Sequence, residues 1–321
     1  MLYKLKENRV RRSYLGGARI DKFYGKEKCE NGYCPEDWIG SVVEANNPGD
    51  VIVGEGLGVT ETGEFVKDVL SEKGKMSFLL KMLDSAERLV IQAHPTVDFA
   101  KKAFDSEFGK TECWYFIDCD EDACVYIGFK PGITREKWKH LFEAQNSDGM
   151  LDLLHKIKVK KGDVVFVDGG VPHAIGGGSL ILELQEPTDL MVCGEKITPS
   201  GRVLADEKVH GGLGFEKMFD CFEYDSYTED EIKEKFIVTP MREAGVTHLI
   251  YDRYTDKFSM DEITYGEYIF ESDKLAIVLE GIGTAKTDSG EICLKKGDKL
   301  LMTKGERLVL ADNGIKMLIC G

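Results

Sequence analysis

Short apolar runs bounded by Gly, Asp or Pro recur along most of the chain: VVFV at 164–167, SLILEL at 179–184, LAIVLEG at 275–281 and LLM at 300–302. Runs this brief, with turn residues at both ends, predict the strands of an all-β sandwich or barrel. Helical spacing is local. Residues 97–108 follow a proline and place Phe99, Ala103 and Phe104 on one side. Thr134 is a candidate N-cap for REKWKHLFEA, Ser147 or Asp148 for GMLDLLHKI, and Thr228 precedes EDEIKEKF. The first two of these capped segments, near 134–156, predict a small α-helical insertion within the first β region.

An internal echo divides the chain. VKKGDVVFVDGGVPHAI (159–175) aligns without gaps to LKKGDKLLMTKGERLVL (294–310), so Lys160, Lys161, Gly162, Asp163 and Gly170 fall on Lys295, Lys296, Gly297, Asp298 and Gly305. Each copy predicts a Lys-Lys-Gly-Asp turn, a strand and a glycine turn. His173 is matched by Leu308. Two related β units are expected: residues 1–230 carrying the chemistry and the helical insertion, and residues 231–321 without a metal site.

The polar residues inside apolar segments carry the chemistry. Residues i and i+2 of a strand share a face. In LVIQAHP, Val90, Gln92 and His94 should therefore point one way and Leu89, Ile91 and Ala93 the other. In GKTECWYF, Glu112 shares a face with Trp114 and Phe116. In SLILELQE, Ile181, Glu183 and Gln185 oppose Leu180, Leu182 and Leu184. Gln92, His94, Glu112 and His173 together offer an amide oxygen, two imidazoles and a carboxylate, a set suited to a borderline divalent metal with positions left for substrate. Taken singly, His94 and His173 read as hydrogen-bonded core histidines. His140 and His155, on the expected helices, and the isolated His210 and His248 read as surface or core residues.

The length, 321 residues, favours two domains. The formal charge of −15 argues against a nucleic-acid partner, since phosphate-backbone binding needs a basic face, but leaves room for a small phosphorylated ligand. No apolar run reaches membrane-spanning length, so no membrane partner is expected. Nine scattered cysteines without CxxC, and a basic start with no apolar run after it, predict a reduced, cytoplasmic protein.

The stretch Gly162–His173 has the form G-x5-D-x-G-x2-H, which resembles the second motif of the cupin superfamily with Asp168 in place of the usual proline. The segments SFLLKMLDSAERLVIQAHP, GKTECWYFID, IGFKPG and VPHAIGGGSLILELQEPTD, with RSYLGGARI and EDWIGS before them, resemble in order the type I phosphomannose isomerases over most of residues 12–192. The resemblance implies two cupin-like β-barrels, one zinc ion per chain on Gln92, His94, Glu112 and His173, and interconversion of mannose 6-phosphate and fructose 6-phosphate through an enediol. It further implies Glu183 as catalytic base, Lys130 in catalysis and substrate binding, and Lys81 and Ser41 as substrate-binding residues.

One departure stands out. Ten positions beyond Glu183 the family carries an arginine, and this chain has Cys193. A thiol cannot make the two-point, charge-assisted contact of a guanidinium. Lys196 and Arg202 are the nearest replacements in sequence. An isomerase or epimerase of another, unphosphorylated sugar, or a sugar-binding protein without turnover, are the alternatives this substitution raises.

Overall fold

Strands Leu79–Ser85 and Ser179–Gln185 are buried at every position, their polar residues included, because each is covered on both faces. The computed structural model describes residues 1–47 and 51–321. About 35% of residues are in strands and 16% in helices, so the fold is mainly β. The strands form four antiparallel sheets.

The six-stranded sheet runs Arg9–Val10, Glu36–Ile39, Leu79–Ser85, Ser179–Gln185, Glu112–Cys119, Val164–Val167. A five-stranded sheet runs Val192–Cys193, Gln92–Ala93, His173–Ile175, Cys124–Phe129, Leu154–Lys158. Leu83, Trp114, Phe116, Val165 and Ile181 from the first meet Val125, Ile127 and Ile175 from the second in one core. The opposite face of the six-stranded sheet, with Leu80, Met82, Cys113, Tyr115, Leu182 and Leu184, packs on Ile250, Met260, Leu275, Leu301 and Leu318 of a seven-stranded sheet. That sheet closes on a four-stranded one through Ala276, Val278, Met302, Leu308 and Met317. The alternation read at Glu112/Trp114/Phe116 and at Ile181/Glu183/Gln185 thus separates an inward face, holding Glu112, Glu183 and Gln185, from a mostly apolar inter-sheet face, which the buried Asp37–Lys299 ion pair (2.6 Å) crosses.

The echo is present in three dimensions. Val164–Val167 corresponds to Lys299–Met302 with no offset. Both turns carry the same hydrogen bond, Lys160 N to Asp163 Oδ2 at 3.0 Å and Lys295 N to Asp298 Oδ2 at 3.1 Å. Both need left-handed glycines, Gly162 (φ 89°) and Gly297 (φ 90°), which residues with a Cβ adopt only at a cost. At the His173 position Leu308 fills the second core, fully buried. The first strand, Leu2–Lys4, pairs with Lys299–Met302 at the edge of the seven-stranded sheet and so ties the chain start to its end.

Two expected caps hold: Thr134 and Thr228 accept from Lys137 N and Glu231 N, the second as a full capping box, and Thr96, not singled out from sequence, accepts from Phe99 N. Helix Ser147–Asp152, however, is capped by Asn146, not by Ser147 or Asp148. It also stops early. Leu154–Lys158, expected to continue the helix, is a strand paired with Cys124–Phe129, so His155 lies on a strand and its Nε2 meets Tyr227 O at 2.7 Å. Long-range pairing here overrides local helical spacing. No described helix is long and apolar enough to cross a membrane.

Candidate metal and sugar site

Strand register assembles the site. In the five-stranded sheet Gln92 lies opposite both His173 and Cys193. In the six-stranded sheet Trp38, Lys81, Glu183 and Trp114 form one cross-strand row, and Gln185 and Glu112 the next. The pairing brings together residues from seven separate strands.

His94, Glu112 and His173, all buried, each present a ligand atom within 4.8 Å of the others. His94 Nε2 is 3.2 Å from Glu112 Oε2, and His173 Nε2 is 3.4 Å from Glu112 Oε1. Each imidazole uses Nδ1 against a backbone carbonyl, His94 with Leu190 O and His173 with Val171 O, both at 2.9 Å. A carbonyl can only accept, so Nδ1 carries the proton and Nε2 turns a lone pair inward, the tautomer a metal requires. Burial pushes the His173 pKa down to about 3, which keeps the ring neutral. The Gln92 amide lies 3.3 Å from His173 Nε2, and exchange of its oxygen and nitrogen directs the oxygen to the same point.

The pocket these atoms define attracts cations. Lys110 sends its ammonium into it, 2.8 Å from His94 Nε2 and 2.9 Å from Glu112 Oε2. Glu112 Oε2 nonetheless lacks a partner with hydrogen-bond geometry, an unsatisfied buried oxygen that a divalent ion would satisfy. Burial raises the Glu112 pKa, but Lys110 and then His94 outweigh it and hold the carboxyl well below the usual range. The residues present therefore fit a divalent metal. Trp114 Nε1 fixes the other oxygen at 3.1 Å.

A cavity opens beside this group, lined by Gln92, Lys110, Glu183 and Lys81 on one side and by Arg12, Tyr14, Glu36, Asp189 and Lys208 on the other. Its charges are cross-linked. Arg12 Nε donates to Glu36 at 2.9 Å, and both terminal nitrogens donate to Asp189 at 3.0 Å. Glu36 also accepts from Tyr14 Oη (2.8 Å) and Trp38 Nε1 (2.7 Å). Lys81 sits 3.3 Å from Glu183 and 3.9 Å from Glu36. Burial opposes ionisation of Glu36, yet Arg12 and Lys81 prevail and bring its pKa to about 2.

The structure thus gathers Gln92, His94, Glu112, His173, Glu183 and Lys81, and leaves out two residues expected from sequence. Lys130 is exposed and donates to Asp152 O at 2.8 Å, on a turn that does not line the cavity. Ser41 is buried but engages Val43 N and O through its own hydroxyl. The alternation expected over 89–94 begins only at Ile91: Leu89 packs in the inner core, because Leu89 N bonds Ile175 O and Ile91 N bonds Glu195 rather than a ladder partner. Cys193 is fully buried in an apolar cluster under the helices, its pKa pushed up to about 12 by burial. Lys196 stacks on Phe215 and Arg202 on Tyr33, and neither lines the cavity. Lys110, Arg12, Glu36, Asp189 and Lys208 were not singled out from sequence. Only Lys110, on the same alternation as Glu112, carried a signal.

No protein-family model matches the chain. It is 41% identical over 111 residues to the probable mannose-6-phosphate isomerase GmuF of Bacillus subtilis, a stretch covering 35% of this chain and 34% of that protein. With mannose-6-phosphate isomerase ManA of the same organism it shares 40% over 118 residues, 36% of that protein. The aligned stretches thus span about a third of either relative. A longer alignment, 28% identical over 237 residues and 70% of the relative, joins it to the putative mannose-6-phosphate isomerase YvyI of B. subtilis. The crystal structure of the mannose 6-phosphate isomerase from B. subtilis superposes over 99% of this chain and 98% of its own, with a TM-score of 0.72 at 21% identity, a likeness of fold. Fold and site together define a cupin-type β protein with a buried His/Glu/His ligand group. In sequence the chain is similar to mannose-6-phosphate isomerases of B. subtilis, over about a third of two of them and, at lower identity, over 70% of a third.

Proposed function

We propose that the protein is a zinc-dependent aldose–ketose isomerase that interconverts mannose 6-phosphate and fructose 6-phosphate. The observation that carries this reading is the convergence of His94, Glu112 and His173 on one point at the edge of a cavity that also holds Glu183 and Lys110. His94, Glu112 and His173, with Gln92 beside them, would hold the ion, which supplies Lewis-acid polarisation of the sugar oxygens when bound.

The chain's own groups account for the proton movements. Glu183 faces the cavity 3.8 Å from Lys110 Nζ, and as a carboxylate takes the proton from C2 of the aldose. The C–H electron pair forms the C1–C2 double bond, and the carbonyl π pair moves onto O1. Lys110 donates a proton toward O1 as negative charge develops there. The Lys110 amine then takes back a proton from O2 as the C2 carbonyl forms and the C1–C2 π pair accepts the Glu183 proton at C1, so both groups end in their starting states. One carbon is oxidised and its neighbour reduced, so no external redox partner is needed. Lys81 and Arg12, held by Glu183, Glu36 and Asp189, set the position of these carboxylates. The test is formation of fructose 6-phosphate from mannose 6-phosphate, in parallel for the unmodified protein and Glu183→Gln. Turnover that survives Glu183→Gln within tenfold would remove Glu183 from the proton path, and no turnover by the metal-loaded protein would refute the activity.

A further inference from the structure

Four cations line the cavity, and three are matched to carboxylates or ligand groups. Arg12 is committed to Glu36 and Asp189, Lys81 to Glu183, and Lys110 to Glu112 and His94. Lys208 differs. Its ammonium donates to Asn46 O at 3.1 Å, and among the described residues no carboxylate comes within ion-pair distance of it. Its backbone carbonyl accepts from the Cys193 thiol at 3.7 Å, so this lysine stands against the very position where a cation is missing.

Placement adds a second argument. Lys208 lies on helix Asp206–His210, which is fixed by buried Val209 and ended by Gly211 in the left-handed region (φ 58°). With Met191, it lines both the inner cavity and a second, outer one bounded by Asn46, Glu207 and Gly212. Glu207 is exposed and solvated. Lys208 therefore stands where the inner cavity meets the outer one, with its ammonium beside Asn46 of the outer lining. Burial moves its pKa below the ordinary lysine value, with Asp189 only partly compensating, which marks a charge short of a counter-ion.

We infer that Lys208 anchors the phosphate of the substrate, holding it at the junction of the two cavities so that C1 and C2 of the sugar reach Glu183 and the His94/Glu112/His173 group. This deepens and rests on the isomerase reading. It also resolves the substitution at position 193: the positive charge is delivered from the neighbouring helix instead of the strand.

The experiment compares the metal-loaded wild type with Lys208→Met, Lys208→Gln and Lys208→Arg. It reads kcat and KM for mannose 6-phosphate and competitive inhibition by inorganic phosphate, with metal content and thermal unfolding as controls. Loss of one charge-assisted contact predicts that KM and the phosphate inhibition constant rise about ten- to a hundredfold in the Met and Gln variants, with a smaller fall in kcat. Arg should recover most of the loss. Folded, metal-replete variants with both constants within twofold of wild type would overturn the anchor while leaving the isomerase reading intact. If the wild type fails to turn over, calorimetric titration with mannose 6-phosphate decides. Lys208-dependent binding sustains the anchor and sinks only the activity, whereas binding that ignores Lys208, or none, overturns the anchor too. Should the Met variant not fold, the Gln and Arg pair carries the comparison.

Discussion

Glu36→Gln should cost about 3 kcal/mol of folding stability at neutral pH, and the cost should shrink in acid. Glu36 is buried and accepts from Arg12, Tyr14 and Trp38, with Lys81 at 3.9 Å. Its pKa falls from the usual 4.5 to about 2 in the folded chain. A depression of somewhat over two pH units, at about 1.4 kcal/mol per unit, amounts to about 3 kcal/mol. Removing one partner of a buried ion pair costs roughly 3–5 kcal/mol, a range that includes this loss. The sign follows from the direction: a carboxyl depressed on folding stabilises fully above the unfolded pKa and loses that contribution as pH falls through the folded value. The window is therefore between about 4.5 and 2. Urea unfolding of wild type and Glu36→Gln at pH 7 and pH 3 checks this. The difference should be about 3 kcal/mol at pH 7 and about 1 kcal/mol at pH 3. Asp189 is depressed in the same sense, so wild type also weakens in acid, and only the difference between the two proteins isolates Glu36. An equal difference at both pH values would refute the electrostatic account and leave a packing defect as the cause.

Three further outcomes are expected. Replacing His94, Glu112 or His173 by Ala should abolish stoichiometric metal in elemental analysis of the purified protein, while Gln92→Ala should weaken retention by about ten- to a hundredfold; full metal in Glu112→Ala would dissolve the proposed centre. Lys110→Met should lower kcat by about a hundredfold or more with metal content kept, since it removes a donor aimed at developing charge; unchanged kcat would exclude Lys110 from the proton path. Gly170→Ala and Gly305→Ala share a φ of 84° and should each lose about 1–2 kcal/mol in urea unfolding. Gly170→Ala should lose more, because its Cβ would meet Glu223 Cγ at 2.4 Å while nothing lies near Gly305.

What the chain declares locally is the direction of its side chains. A strand repeats every two residues, so the placement of Glu112 with Trp114 and of Glu183 with Gln185 on one face follows from sequence alone. The twin Lys-Lys-Gly-Asp turns follow as well, because a left-handed glycine and a capping aspartate are local requirements. The candidate ligands His94, Glu112 and His173 were legible from residue type, as metal-binding groups set in apolar segments, and from the resemblance of those segments to a known family. Neighbourhood was not. Register and sheet order depend on contacts between residues far apart in the chain, such as Trp38 with Lys81 and Lys81 with Glu183, and no local period encodes them. Hence Arg12, Glu36, Asp189 and Lys208, drawn from loops, a distant strand and a short helix, emerge only in the folded chain, as does the exposed position of Lys130. Leu154–Lys158 shows the same limit: its pairing with Cys124–Phe129 decides a conformation that its own residues leave open.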